Sequence, residues 1–324
     1  MYDPSSEYAT SVLVTGATGA IGRAVARDLV VNGYRVYGLV RDKDSVGRLP
    51  YAVVGIVGDI REPERWGAAI ERTQVVVNCA FPADLGAGPM TRAQAERDAE
   101  ELARILDGLC DAVRRAKRRL VHTFGALLYE PDANGWVREN SAISSGRGYG
   151  IRHKHTYPVF QRHRKKGLRA MSVNPAFVYG RGGWFEHGML EPMGRGQAVL
   201  IGDGTQTMHY IAASDAASGY RLAIEHGLDG DDYLLADDRP TTLGEFTRLV
   251  ARELGVPEPK PVPEEDLVPL LGEWNVEAYT FCPKVDSTKA RERLGWTPRY
   301  RTIEEGVPAV IREYKRARLS AAAV

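Results

Sequence analysis

Short valine-rich runs alternate with longer segments of helical periodicity through the first half of the chain, and this alternation limits the possible folds most strongly. The runs predicted as strands are SVLVT (11–15), YRVYGLV (34–40), AVVGIV (52–57), QVVVNCA (74–80), RLVHTF (119–124) and LRAMSVN (168–174). Strands that are almost continuously apolar are typical of a parallel sheet with helices on both faces. The alternation therefore predicts an α/β protein.

A glycine-rich segment, TGATGAIG at 15–22, follows the first predicted strand and opens the first predicted helix. Its first glycine permits a tight turn, its second lets the backbone approach a pyrophosphate, and its third lets the helix pack on the sheet. The helix start offers free N–H groups to phosphates. The order strand, loop, helix and strand predicts dinucleotide binding on a Rossmann-type doubly wound parallel sheet, with a structural glycine turn as the alternative. The residues predicted to bind are Gly16, Thr18, Gly19, Ala20, Ile21 and Gly22.

The end of the second predicted strand bears on which dinucleotide is bound. An acidic residue about 20 positions after the glycine motif would bind a ribose 2′-hydroxyl. Here Val40 takes that place and Arg41 follows it, while Asp42 and Asp44 come later. Arginine suits a 2′-phosphate, so the sequence favours NADP over NAD, with NAD still possible. A solvated strand end is the alternative reading of Arg41.

The regular alternation loosens after about residue 175. Glycine-rich stretches and a proline-rich connector at 255–267 replace it, although a strand-like YLLAD occurs at 233–237. We predict three parts: a flexible leader at 1–10, a dinucleotide-binding domain at 11–175, and a smaller C-terminal substrate lobe at 176–324 that is interleaved with the sheet domain.

Composition excludes several classes of function. Lysine and arginine total 43 against 42 acidic residues, so no global field favours nucleic acid or an anionic membrane. The three cysteines lack the spacing of a zinc site, and the histidines at 122, 153, 155 and 163 make no metal site. No signal peptide and no apolar run of spanning length is found. We expect a cytoplasmic protein whose partner is a small molecule, with no nucleic acid, membrane or metal.

Several motifs occur in a fixed order along nearly the whole chain. They are TGATGAIG, GDI (58–60), NCA (78–80), NPAFVYGRGG (174–183), GDGTQTMHYIAASDAA (202–217) and VDSTKARERLGWTP (285–298). In them the sequence resembles the extended short-chain dehydrogenase/reductase family, which contains the NAD-dependent epimerases and dehydratases. The resemblance implies that Asp59 and Ile60 flank the adenine, that Cys79 and Ala80 pass near the nicotinamide, and that Pro175 contributes to cofactor binding. It also implies a homodimer.

Members of that family use a tyrosine as general acid/base and a lysine four residues later, on the same helical face. The lysine lowers the pKa of the tyrosine. Tyr149 fits the tyrosine role, but His153 stands four residues on and Lys154 comes one later. On a regular helix Lys154 would point about 140° away from Tyr149. A kink or bulge at Pro158 is the one route by which it could take the family position.

The family's third catalytic residue is a serine or threonine on the preceding strand. Gly125 stands at that position, and Thr123, two residues earlier, is the candidate substitute if the backbone shifts. Two of the three catalytic positions therefore depart from the family pattern.

The substrate lobe departs from the family as well. Met208 stands where nucleotide-sugar epimerases carry an arginine for the diphosphate, and Asn174 also lacks a charge. These residues disfavour a nucleotide-sugar substrate. The candidates for a partly aromatic pocket are Trp184, Phe185, His187, Met208 and His209, with lobe packing as the alternative for most of them.

The sequence thus predicts an NAD(P)-dependent, oxidoreductase or epimerase-like enzyme. It would act on a carbonyl or secondary alcohol of a partly apolar small metabolite. Two alternatives remain open: a redox-neutral cyclase, lyase or isomerase on the same scaffold, and a non-catalytic dinucleotide-sensing protein.

Overall fold

The computed structural model describes residues 10–82, 85 and 88–322, so all of the predicted leader except Thr10 lies outside the described residues. Fifteen strands are described. They are β1 Ser11–Thr15, β2 Arg35–Val40, β3 Val54–Val57, β4 Val75–Asn78, β5 Arg119–Thr123, β6 Trp136–Val137, β7 Arg169–Pro175, β8 Phe177–Tyr179, β9 Leu200–Ile201, β10 Thr207–Met208, β11 Tyr210–Ala212, β12 Asp232–Leu235, β13 Thr241–Thr242, β14 Pro261–Val262 and β15 Lys284–Val285.

Eleven α-helices accompany these strands within the described ranges. They are α1 Ala20–Val31, α2 Gly67–Glu71, α3 Arg92–Arg115, α4 Gly150–Lys165, α5 Glu191–Gly194, α6 Ala213–His226, α7 Leu243–Leu254, α8 Glu264–Leu271, α9 Glu273–Thr280, α10 Thr288–Leu294 and α11 Ile303–Ala322. Part of the glycine-rich stretch that follows β8 forms a π-helix, Trp184–Leu190.

Seven strands form one parallel sheet in the order β12-β7-β5-β4-β1-β2-β3. The predicted Rossmann-type sheet is confirmed. Chain order reverses between β1 and β4, and a crevice forms outside the carboxyl ends of the strands at such a reversal. The fold therefore directs a ligand to the ends of β1, β4, β5 and β7.

The second half of the chain supplies both a small lobe and one strand of the main sheet. Short strand pairs, β8 with β11 and β9 with β14, belong to the lobe, and its separate apolar core includes a stacked pair, Tyr210 and Phe246, with ring centroids 3.9 Å apart. β12 pairs in parallel with β7, so the strand-like YLLAD joins the sheet. The division of the chain at residue 175 stays a prediction.

Helices α3 and α4 pack against each other beside the sheet. A capping box of Thr91 and Gln94 fixes the start of α3. The Thr91 hydroxyl accepts a hydrogen bond from the Gln94 N–H, and the Gln94 side-chain oxygen accepts one from the Thr91 N–H. Across the ranges that the structure describes, no helix joins enough length to enough apolar character to cross a bilayer.

Candidate active site

A cavity of about 450 Å³ opens at the carboxyl ends of β4, β5 and β7, against the start of α1. Ala20 and Ile21 line it from α1, and four residues of the α4 region line it from the opposite side. Those four are Tyr149, Arg152, His153 and Thr156. The cavity thus joins the start of α1, directly after the glycine turn, to the predicted catalytic tyrosine in one space; Gly16, Thr18, Gly19 and Gly22 do not line it.

The glycine turn leaves no room for side chains. Gly16 has φ +69°, and a Cβ there would lie 2.7 Å from the Cys79 carbonyl oxygen. A Cβ on Gly22 would lie 2.3 Å from the Gly16 carbonyl oxygen. The N-cap of α1 is Gly19, which offers no side-chain acceptor to the first N–H groups of the helix. A helix start of this kind, uncapped and closely approachable, fits the pyrophosphate of a dinucleotide.

Other residues predicted to bind the cofactor are divided between cavity wall and surroundings. Ile60, Cys79, Ala80 and Pro175 line the cavity. The Asp59 carboxylate does not line it and instead accepts a hydrogen bond from the Arg61 N–H at 2.9 Å.

The end of β2 presents Arg41 as an exposed side chain outside the cavity wall. The nearby carboxylate of Asp42 accepts a hydrogen bond from the Ser45 N–H at 2.7 Å, and the hydrogen bonds from Ser45 lower its pKa. The Asp42 carboxylate is therefore engaged in hydrogen bonds within its own turn. Arg41 is the charged residue that directly follows β2.

Tyr149 occupies the N-cap of α4 with helical dihedral angles, φ −62° and ψ −14°. Its ring packs edge-on against Trp274 at 5.0 Å between centroids and against Tyr279 at 6.4 Å. Burial, followed by Tyr279, raises the pKa of the Tyr149 phenol above its usual 10, and the charge of Arg152 opposes this only in part. At neutral pH the phenol is a proton donor.

His153 lines the cavity one turn after Tyr149. A Cβ on Gly125 would lie 3.4 Å from His153 Nε2, so the imidazole borders the space that a side chain at position 125 would occupy. Burial, with the charge of Arg152, lowers the pKa of His153 to about 3. The imidazole is neutral and can exchange hydrogen bonds with a ligand.

Lys154 lies outside the cavity wall. Its side chain is 50% exposed, and Nζ lies 3.9 Å from the nearer Glu96 carboxylate oxygen. Helix α4 runs without a bulge from Gly150 to Lys165, although Pro158 lies inside it. The described helix shows no distortion that turns Lys154 toward Tyr149, and the five-residue offset places the ammonium on another face; that His153 is the partner of Tyr149 stays a prediction.

Thr123, the other catalytic candidate, does line the cavity, but its hydroxyl already has partners. It accepts a hydrogen bond from the Tyr220 hydroxyl at 2.7 Å and donates one to Cys79 Sγ at 3.3 Å. Burial raises the pKa of the Cys79 thiol to about 12, so this sulfur stays protonated. Thr123 is held by buried partners, which limits what its hydroxyl can offer a ligand.

A polar chain that the sequence did not reveal crosses the ends of β1, β4 and β5. Asn78 Oδ1 accepts hydrogen bonds from Thr15 Oγ1 at 2.5 Å and from the Ala80 N–H at 3.2 Å. Since two donors reach that oxygen, the amide nitrogen donates to His122 Nδ1, 2.9 Å away. Burial lowers the pKa of His122 to about 3. His122 is a second neutral imidazole of the cavity wall, with its proton on Nε2.

Arg152 is a further residue that the sequence reasoning missed. Its guanidinium carbon lies 4.0 Å from the ring centroid of Phe81, 4.7 Å from that of Tyr149 and 4.8 Å from that of Trp274. Burial lowers its pKa to about 10, so it remains a cation. Its position three residues after Tyr149 was the available signal, because residues at i and i+3 share a helical face.

Of the five residues predicted to form a substrate pocket, only Trp184 lines the cavity, and its indole N–H donates to the Val178 carbonyl oxygen at 2.6 Å. Phe185 and Met208 are buried in the core of the lobe, and His209 is buried against Asp237. His187 is exposed beside Glu191. The alternative of packing inside the lobe therefore describes Phe185, Met208 and His209, whereas His187 lies on the surface.

The remaining histidines of α4 hold α3. His155 Nε2 lies 2.6 Å from the Glu96 carboxylate, and His163 Nε2 lies 2.6 Å from that of Asp107. Within the described part of the chain, no three histidine, cysteine or acidic side chains are grouped as metal ligands.

Comparisons with known proteins agree with this geometry. The model of the NAD dependent epimerase/dehydratase family matches residues 12–236. The 3-diazoavenalumate denitrifying reductase of a Streptomyces species is 25% identical over 308 residues, 91% of this chain and 98% of that protein. UDP-glucose 4-epimerase from Thermotoga maritima, solved with UDP-glucose, has a TM-score of 0.78 at 24% identity, covering 95% of this chain and 99% of its own. Human epimerase family protein SDR39U1 with NADPH has a TM-score of 0.73 at 18% identity, covering 94% and 99%.

Proposed function

The chain belongs to the NAD dependent epimerase/dehydratase family, as its motifs indicated, and from this premise we propose that it is an NADP-dependent oxidoreductase. Its substrate is the carbonyl, or the corresponding secondary alcohol, of a small and partly apolar metabolite. The observation that carries the proposal is the single cavity that joins the uncapped start of α1 to Tyr149 and His153. The relative that is named a reductase supports the same class of reaction.

The nicotinamide dinucleotide supplies the hydride-transfer chemistry when it is bound. The backbone at Gly19, Ala20 and Ile21 holds the pyrophosphate, because these N–H groups face no capping side chain. Arg41 pairs with a 2′-phosphate, while Asp42 is occupied by its own turn and offers nothing to a free 2′-hydroxyl. Proteins of this fold are solved with NADPH and with NAD, so the preference rests on Arg41 and Asp42.

The proton is handled by Tyr149. Since its pKa is raised, the phenol is protonated at neutral pH and donates to the oxygen of a carbonyl substrate. The neutral imidazole of His153 orients that oxygen by a hydrogen bond. A phenolate able to remove a proton from an alcohol is scarce at neutral pH in this environment, so oxidation of an alcohol is expected to need a more alkaline pH than reduction of a carbonyl.

A redox-neutral reaction is the second candidate, and the position of Lys154 favours it. No lysine ammonium lies among the described residues that line the cavity. The pKa of the Tyr149 phenol is therefore lowered only in part, by Arg152, and the phenol is less suited to redox chemistry than a tyrosine beside a lysine. Tyr149 and His153 then serve as proton donor and hydrogen-bond partner for an elimination or isomerisation.

The test is reduction of a panel of aromatic and aliphatic aldehydes and ketones, followed by the absorbance of NADPH. We expect NADPH-dependent turnover by the wild type and a loss of roughly 100-fold or more in Tyr149→Phe. Turnover that persists in the phenylalanine variant would remove Tyr149 from the mechanism. Cofactor binding without consumption, together with product formation from an added substrate, would instead establish the redox-neutral reaction.

A further inference from the structure

Arg152 is the only charged side chain among the described residues that line the cavity. Most of the wall is apolar, with Leu102, Ile105, Leu106, Phe124, Phe177 and Trp184 among its members. An ionised group is costly to remove from water unless it is paired. A lone cation in such an apolar wall is therefore expected to have a stabilising partner.

Aromatic rings cover this cation without satisfying its hydrogen-bonding groups. Phe81, Tyr149 and Trp274 all lie within 5 Å of the guanidinium carbon. Stacking of this kind stabilises the charge and holds the planar group in position, but an aromatic face accepts no strong hydrogen bond from the in-plane N–H donors. The rings orient Arg152 and leave its donors for another partner.

No carboxylate of the described residues forms an ion pair with Arg152, and none of their oxygen atoms accepts a hydrogen bond from it; the charge of Asp98 reaches the guanidinium only from beyond ion-pairing distance. The neighbouring arginine shows the contrast. Arg147 Nε lies 3.6 Å from Glu277, and the Arg147 side chain is 58% exposed and lies outside the cavity wall. A solvated, paired arginine and a half-buried, unpaired one thus occur five residues apart.

We propose that Arg152 binds a carboxylate of the substrate, so that the metabolite is an organic monoacid with an apolar, ring-bearing or branched body. The guanidinium fork matches the two oxygens of a carboxylate in one plane. A single cation balances a single negative charge, whereas a phosphate monoester would bring up to two charges to this one cation. The inference rests on the proposed function only in assigning the substrate to this cavity.

The test compares trans-cinnamate with its neutral counterpart, cinnamamide, by calorimetry on the full chain saturated with NADPH. We expect the acid to bind the wild type at least ten-fold more tightly than the amide. Arg152→Gln should abolish this preference, and Arg152→Lys should keep part of it because the charge remains. Arg147→Gln is the matched control and should leave the preference unchanged.

Equal affinities of the acid and the amide for the wild type would overturn the assignment without any variant. An unchanged ratio in Arg152→Gln would overturn it too, as would a loss of NADPH affinity in that variant with the ratio intact, since Arg152 would then serve the cofactor. Binding is measured here without turnover. An absence of carbonyl reduction would therefore defeat the proposed function and leave the preference for the acid standing. Equal binding of the acid and the amide would defeat the role of Arg152 and leave the proposed function standing.

Discussion

The buried imidazole of His122 should make the fold sensitive to mild acid. Its side chain is 7% exposed, and Nδ1 accepts a hydrogen bond from the Asn78 amide. Protonation would place a charge in the core and remove that acceptor. The folded-state pKa of about 3 lies well below the 6.5 of a free histidine, so the unfolded chain binds the proton more readily.

The sign and size of the effect follow from this difference. The stability contributed by the neutral imidazole is complete above pH 6.5 and is lost progressively as the pH falls from about 6.5 toward 3. At about pH 5.5, one unit below the unfolded pKa, the loss is about 1.4 kcal/mol relative to about pH 7.5. A loss of this size would lower the melting temperature by at most about 3–6 °C, because the shift of roughly 2–4 °C per kcal/mol typical of 150–250 residues becomes smaller for a longer chain.

The assay is urea unfolding of the wild type and His122→Gln at both pH values. The variant is expected to be less stable overall but to lose about 1.4 kcal/mol less than the wild type on acidification. His187→Gln is the control, because that side chain is 65% exposed, and it should follow the wild type. Parallel pH dependence of the wild type and His122→Gln would refute the reasoning.

Three further outcomes are expected. His153→Ala should lower turnover by roughly 100-fold, while Lys154→Ala, outside the cavity wall, should stay within about two-fold; steady-state rates that rank the two variants the other way would make Lys154 the displaced catalytic lysine. Arg41→Ala should weaken binding of NADPH by about ten-fold and leave NADH unchanged in calorimetry, since one charge-assisted contact is lost. Gly22→Ala should abolish binding of both, because its Cβ would meet the Gly16 carbonyl oxygen at 2.3 Å; measurable affinity would contradict this.

Local pattern was enough to predict the sheet. The runs at 34–40 and 74–80 became Arg35–Val40 and Val75–Asn78, because a strand that is buried on both faces needs continuous apolar side chains whatever lies beside it. The glycine turn was predictable for a related reason. At Gly16 and Gly22 the backbone approach itself excludes any other residue, so the requirement is visible in the sequence.

The walls of the cavity were not predictable in the same way. Helix α9 brings Trp274 and Tyr279 into contact with Tyr149, although they lie more than 120 positions later in the chain. The periodicity of the sequence cannot predict such a long-range contact. Arg152 was present in the stretch that drew attention to Tyr149, yet its role depends on Phe81 and Trp274, which only the folded chain brings to it. In the small lobe, aromatic residues fill a second core, which composition cannot distinguish from a binding pocket.

The placement of β12 has a consequence for anyone who wishes to express the cofactor-binding half alone. A fragment that ends at Pro175 would lack Asp232–Leu235, the strand that pairs with β7. The unpaired N–H and C=O groups of β7 would form a free edge along a strand that is buried from Ala170 to Pro175 in the intact sheet, and such an edge is a template for aggregation. During synthesis the same edge stays open until more than fifty further residues have left the ribosome, so the sheet can be completed only after Leu235 has emerged.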